Sequence, residues 1–469
     1  MRVSATSLCL LAGQAVAAPP AARQDGAAGP VVQDGVFQFP FFTIAHKEEL
    51  LKGGNGATGT ATTKRQVPAG LDNVNYGGVW PAMVLGMTIE LGTPPQKVLV
   101  EPDTGSYQLW VPGATPTDGG TDVESVYFDR NASTSKQDLK MESGCAYGTR
   151  ERVQLNMFSD EVSLGGKSLG QLAFGIGNMT SPHTTLGRTI GVMGLLPAPP
   201  HSKDSTDFVP QMLLDKKITK TRAFGMALRE NGQGLLTFGG YDTSKFSGPL
   251  EKLPILPNKW RHSIVSIQSV SFKASSCGSS EVVLNKETAS RDLTMCIDSG
   301  SPALVLKKDL FEIVEAKLQA KPSSGPLKVA CDVVDAGASL DFRLTNSTRV
   351  SVPLSDMLLQ KVDSGKNCIL AIQKSRVPSD LFIGGHFFRR SFVLHDPDGD
   401  SIYVGRGADC GSSVVAIDGK MPTDVIKGKC SEEPAAAEKP SASAMDSIAG
   451  LTVEELTALI DPRIHKDEA

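Results

Sequence analysis

The sequence predicts an all-β chain with few short helices, folded as two similar lobes with a cleft between them. Three observations carry this. Of 469 residues, 47 are glycine and 29 proline, and short apolar runs outnumber long helical patterns. That composition suits many strands joined by many turns. The stretch Leu99-Val100-Glu101-Pro102-Asp103-Thr104-Gly105-Ser106-Tyr107 has a near-copy, Thr294-Met295-Cys296-Ile297-Asp298-Ser299-Gly300-Ser301-Pro302, 298 − 103 = 195 residues downstream. A second echo follows each copy: Gly194, in Ile190 to Leu195, lies 91 residues past Asp103, and Gly384, in Leu381 to Gly385, lies 86 past Asp298. Like order at like spacing implies two lobes of like topology, and the length suffices for two cores.

Taken in order, residues 1–17 have the three parts of a secretory signal: Arg2, the apolar run Leu8 to Ala12, and the small-residue site Ala15-Val16-Ala17. Residues 18–65 are expected to be a pro-segment. Its Gly/Ala/Thr-rich run, Gly53 to Thr63, ends at the dibasic pair Lys64-Arg65, a natural processing site in an exposed stretch. Within it Phe37-Gln38-Phe39-Pro40-Phe41-Phe42 needs an apolar cover, and the expectation is a substrate groove. His46 and Lys47 follow, a cation that would neutralise acidic groups there.

The β signals begin at Gln66. Met87 to Leu91 alternates and turns at Gly92-Thr93-Pro94-Pro95; Val162 to Gly166 and Leu235 to Gly240 each run from strand into turn. The first lobe is placed at 66–254 and the second at 255–425, with Pro254 and Pro257 interrupting the pattern at the join. Residues 426–469 are expected to be a mostly disordered tail, Ala/Pro/Glu/Ser-rich from Ser431 to Met445. A capping box at Thr452-Val453-Glu454-Glu455 would start a short helix in it.

A single Asp-Ser/Thr-Gly is weak evidence, and Asp363-Ser364-Gly365, set among Lys361 and Lys366-Asn367, reads as a polar turn. Asp103 and Asp298 differ, because Leu109-Trp110-Val111 and Ala303-Leu304-Val305-Leu306 follow them as apolar runs suited to buried strands. Two such copies suggest two carboxyls brought to one site. Carboxyls held close share a proton, since like charges in a low-dielectric cleft repel. One then acts as base and the other as acid on a water between them, and the two pKa values belong to the pair. No covalent intermediate, metal or cofactor is required. Gly105 and Gly300 permit close backbone approach, and Ser106 and Ser301 are placed to donate to the outer carboxylate oxygens.

With these residues in hand, the chain resembles a pepsin-like aspartic peptidase of the secreted fungal type over about residues 80 to 408. The resemblance rests on Leu91 to Gln96, Asp103-Thr104-Gly105-Ser106 with Leu109-Trp110-Val111-Pro112, Gly239-Gly240-Tyr241-Asp242, Asp298-Ser299-Gly300-Ser301, and Phe382-Ile383-Gly384-Gly385 with Phe387-Phe388-Arg389. It implies a bilobal fold, catalytic Asp103 and Asp298, and hydroxyls of Thr104 and Ser299 that bond across to the opposite loop. It also implies a flap at Tyr147-Gly148 whose phenol bonds towards Trp110, and a Cys331–Cys368 disulfide. The chain departs from the family pattern at Pro102, at the flap continuation Thr149-Arg150-Glu151-Arg152, at Cys296 and at Gly385.

Eight cysteines leave seven once Cys9 departs with the signal; Cys410 with Cys430 and Cys277 with Cys296 are further possible pairs, with Cys145 left over. Asn131, Asn178 and Asn346 head glycosylation acceptor motifs. The net charge of −4 gives no footprint for nucleic acid, and no run reaches transmembrane length or forms a lipid-anchor tail. The expectation is a secreted or vacuolar-lumen monomer acting on proteins or peptides at acidic pH. Two other readings compete: a catalytically impaired protein of the same fold that binds a partner in its cleft, and a cell-wall or adhesion protein. The second calls for an anchor or a long Ser/Thr stalk, and the sequence has neither.

Overall fold

Apolar residues at every second position build this chain into strands. The structure is a computed structural model that describes residues 30–43, 84–113, 127–147, 152–178, 190–200, 202, 206–229, 231–276, 278–285, 293–320, 326–375 and 381–431. The helices among them are short, the longest being Lys308–Lys317.

The repeated sequence stretches form the same device twice. Gln96–Asp103 ends on the first aspartate and pairs in parallel with Gly191–Gly194, Asp103 standing opposite Gly194. Gly191–Gly194 pairs on its other side, antiparallel, with Leu109–Pro112, the strand that leaves the loop. In the second half, Thr294–Ile297 pairs in parallel with Phe382–Ile383, which pairs antiparallel with Leu304–Leu306. Each exit strand then takes a parallel neighbour, Lys167–Asn178 in the first half and Ile372–Lys374 in the second. A late strand inserted between the arms of each aspartate loop fixes where the loop turns. The shared lead-in and Gly-containing echoes seen in the sequence are the trace of this arrangement.

The halves join through one continuous sheet. Phe246–Pro254, Ser401–Gly407, Ser391–Asp396, Phe224–Leu228 and Gln233–Phe238 lie side by side in that order, so a pair of strands from the second half lies between strands of the first. Next comes Val36–Thr43, paired with Gln233–Phe238 over six residues and with Leu85–Leu91 at Phe42 and Thr43. Phe37, Phe39 and Phe41 are buried in the main core, with Phe37 stacked on Phe238 at 6.3 Å. This corrects the expectation that the Phe-rich stretch covers a substrate groove. Its cover is the sheet, because period-two alternation with free backbone edges favours pairing over groove filling.

A second difference lies at the tail. Residues 426–431 belong to the body: Leu250 N–H donates to Ile426 O at 2.8 Å, and Cys430 is bonded to Cys410. The signal 1–17, His46, Lys47, Lys64, Arg65, Gly148, Cys277 and the capping box at 452–455 lie outside the described residues. Asp363-Ser364-Gly365 is a hairpin turn with φ of 54°, 55° and 81°, as its polar surroundings imply.

Cys331 and Cys368 are joined at 2.04 Å, tying the helix Cys331–Asp335 to the strand Asn367–Leu370 across 37 residues of chain. Removing that constraint releases the unfolded chain. The Cys331→Ala/Cys368→Ala double variant is expected to lose about 3–4 kcal/mol of unfolding free energy. Urea denaturation at neutral pH measures it, and an unchanged midpoint would contradict it.

Candidate active site

The two aspartate loops meet through reciprocal hydrogen bonds. Thr104 N–H donates to Ser299 Oγ and Ser299 N–H donates to Thr104 Oγ1, both at 2.9 Å. Each hydroxyl then donates onward to the opposite strand: Ser299 to Pro102 O at 2.7 Å and Thr104 to Ile297 O at 3.5 Å. Both hydroxyl residues are fully buried. A buried hydroxyl with donor and acceptor both used is costly to disturb, so the two loops hold each other in register. Pro102 supplies a carbonyl to this lock and lies opposite Met193 in the parallel pairing. The departure at Pro102 therefore leaves the frame intact.

The lock brings the carboxyls together. Asp103 Oδ1 accepts from Gly105 N–H at 2.7 Å and Oδ2 from the Ser106 hydroxyl at 2.5 Å. Asp298 Oδ1 accepts from Gly300 N–H at 2.9 Å. Glycine is required at both loop positions by space alone. A Cβ on Gly105 would stand 2.3 Å from Asp298 Cγ, and one on Gly300 2.4 Å from Asp103 Oδ1. Each loop thus passes over the carboxyl of the other. Ser301 differs from expectation: its hydroxyl donates to Ala303 O at 2.9 Å, turning into its own loop instead of to Asp298.

Burial first, and then the neighbouring Asp103 charge and the hydrogen bond between the two carboxyls, push the Asp298 carboxyl well above the ordinary carboxylate range. Trp110 is buried on the exit strand, and its Nε1–H donates to Tyr147 Oη at 2.5 Å. Tyr147 follows the strand Gln137–Ala146. Burial pushes its phenol well above its usual value, with Cys145 and Asp103 adding to the shift, so the hydroxyl keeps its proton at all acidic and neutral pH.

Asn131 and Asn346 are exposed in turns; Asn178 ends a strand. Among the described residues, no group of three or more His, Cys, Asp or Glu side chains is arranged to hold a metal ion, and no helix is long and apolar enough to cross a membrane. The sequence reading missed Gln108, whose side-chain amide reaches the strand before Tyr147. Nothing local marks it, since its partners lie 35 and 37 residues away.

A bilobal β fold with two hydrogen-bonded aspartates on mirrored loops defines the class of aspartic-type endopeptidases. The chain belongs to the eukaryotic aspartyl protease family, whose sequence model matches residues 86–406. It is 28% identical over 327 residues to an acid protease of Saccharomycopsis fibuligera, covering 68% of this chain and 79% of that one. To secreted aspartic protease 8 of Candida albicans it is 26% identical over 329 residues, 67% of this chain and 74% of the relative. A probable aspartic-type endopeptidase of Aspergillus fumigatus is 26% identical over 337 residues, 67% of each chain.

Proposed function

We propose that the chain is a secreted aspartic endopeptidase, made as a zymogen, that hydrolyses peptide bonds at acidic pH with water activated between Asp103 and Asp298. The observation that carries this is the contact between the two carboxyls across reciprocally bonded loops. One proton serves both groups. The ionised carboxyl takes a proton from the water as it attacks the peptide carbonyl. The protonated carboxyl donates to the developing oxyanion, and the departing amine is then protonated. Gly105 N–H and the Ser106 hydroxyl hold Asp103, and Gly300 N–H holds Asp298. Tyr147 acts from the flap with Gly148, its oxygen fixed by Trp110, and closure over the substrate excludes water.

Secretion is supported by the signal at 1–17 and by the names of the relatives. Processing is assigned to Lys64-Arg65, and the mature lobes to 66–254 and to 255 through Cys430, which is bonded to Cys410. Asn131, Asn178 and Asn346 are the proposed glycan acceptors, with Asn131 and Asn346 exposed. A monomer is the expected working form.

The test is cleavage of a mixed peptide library by the processed protein between about pH 3 and 7, where a shared proton gives a pH-bounded profile. Asp103→Asn and a transition-state-mimicking inhibitor run as controls. Acid-dependent cleavage lost in both supports the proposal; no cleavage by folded, processed protein shifts it to a partner-binding role. Tyr147→Phe keeps the ring and removes the phenol, so kcat/KM is expected to fall about tenfold, the worth of one or two buried hydrogen bonds. Steady-state kinetics on one cleaved peptide reads it.

A further inference from the structure

Gln108 stands between the first aspartate loop and the strand Leu109–Pro112, and it is buried. Its side-chain amide uses both ends on one neighbour. Nε2–H donates to Ser143 Oγ at 3.1 Å, and Oε1 accepts from the Cys145 thiol at 2.7 Å. Residues two apart on a strand face the same way, so one amide spans two successive side chains of Gln137–Ala146. Tyr147, two residues further on, accepts from Trp110, two residues past Gln108. The chain from 143 to 147 is thus held at each alternate residue by positions 108 and 110.

The base of this clasp is rigid. Gln108 O accepts from Gly194 N–H at 3.0 Å, and Leu109 N–H donates to Thr206 Oγ1 at 2.8 Å. The strand it grips is not. Gln137–Ala146 lies at the end of its sheet, paired with Arg152–Leu164 alone, and its register shifts between Asp138 and Glu142. Most of its residues are exposed. An edge strand with a bulge and little buried surface opens at low cost unless side chains tie it down.

We propose that Gln108 is a positioning residue for the flap: its amide clasps Ser143 and Cys145 and so sets where Tyr147 stands over the two carboxyls before substrate arrives. This rests on the assignment of Tyr147 to the flap. A clasp formed in the free protein preorganises the closed strand, so its loss is read as weaker substrate capture more than as slower chemistry.

The test uses the processed protein with Gln108→Leu, Cys145→Ala and Cys145→Ser, and two readouts. In steady-state kinetics on one extended peptide, Gln108→Leu raises KM about tenfold while kcat stays within about twofold, as expected for two lost hydrogen bonds away from the reacting atoms. Cys145→Ala raises KM less, and Cys145→Ser, whose hydroxyl donates in place of the thiol, lies closer to wild type than Cys145→Ala. The second readout needs no catalysis: alkylation of Cys145 by iodoacetamide, located by peptide mapping, becomes about tenfold faster in Gln108→Leu as the strand opens. A folded Gln108→Leu protein with wild-type KM overturns the proposal, and a lowered melting temperature alone with both readouts unchanged marks a merely structural residue. If wild type cleaves no peptide but Gln108→Leu speeds alkylation, the clasp stands and the peptidase assignment falls.

Discussion

Asp298→Asn is expected to abolish peptide hydrolysis and, at neutral pH, to make the fold more stable. Both effects come from one property. Asp298 holds its proton well above the ordinary carboxylate range, because it is buried and faces Asp103. An amide supplies the hydrogen bonds of a protonated carboxyl but cannot exchange its proton, so the acid–base pair is lost. A loss of at least about 10⁴-fold in kcat/KM follows, at the upper end for one acid–base group. The stability effect has a definite sign. As pH rises past the ordinary carboxylate value, the unfolded chain releases this proton while the folded chain keeps it. The folded state then binds more protons, and stability falls as pH climbs to the raised folded pKa. Asparagine has no such penalty. Urea unfolding at pH 4 and pH 7 should show wild type losing more stability than Asp298→Asn between the two. As a control, Asp363→Asn changes the matching motif in the hairpin turn, where the carboxylate pairs with Lys328 at 2.8 Å. Hydrolysis should stay within about twofold there, since a half-exposed surface pair contributes little. Equal losses in the two variants would mean that the site is misplaced.

What the sequence made legible was whatever close approach forces on residue type. The two Asp-Thr/Ser-Gly-Ser runs are visible because each glycine sits against the opposite carboxyl and each hydroxyl bonds across, so few substitutes fit. The polar turn at Asp363 was legible for the opposite reason, that Lys361, Lys366 and Asn367 flank it. Interactions set by distant partners left no mark. Val36–Thr43 shows its strand pattern in sequence, but its main partner, Gln233–Phe238, lies in another part of the chain and nothing in its own residues names it. Gln108 looks like any polar loop residue until Cys145 is placed against it. Ser301 matches Ser106 in sequence, yet its hydroxyl bonds to Ala303 O two residues on, a choice the four-residue motif does not encode. The tail boundary was misplaced because what holds residues 426–431 is the bond from Cys430 to Cys410, a partner that local composition does not name.

A second large effect should appear at the acid end, where two buried histidines oppose the environment proposed for this protein. His395 stacks on Phe224 with ring centroids 4.7 Å apart, its Nε2 has no hydrogen-bond partner, and it borders a cavity of about 260 Å³. Burial lowers its pKa to about 3. His386 lies in the short helix behind the second aspartate loop, with Nδ1 2.9 Å from Asp356 O. Burial, and then the Arg389 guanidinium, lower its pKa to about 4. Each ring therefore stays neutral in the fold down to its own lowered pKa, while the unfolded chain takes up protons below about pH 6.5. Stability is complete above that value and is lost as pH falls towards each folded pKa. At pH 3 the loss is about 4 kcal/mol from His395 and about 3 kcal/mol from His386, against a total stability of roughly 5–15 kcal/mol. The carboxyl pair pulls the other way, so the two effects bracket a mildly acidic working range instead of a strongly acidic one. His395→Phe preserves the stack on Phe224 and removes the titration. In an Asp103→Asn background, which prevents self-digestion, it should gain about 4 kcal/mol at pH 3.5 relative to its effect at pH 7. Urea unfolding at the two pH values measures this. Parallel pH dependence in parent and variant would show that His395 is already protonated in the fold and would place the acid limit elsewhere.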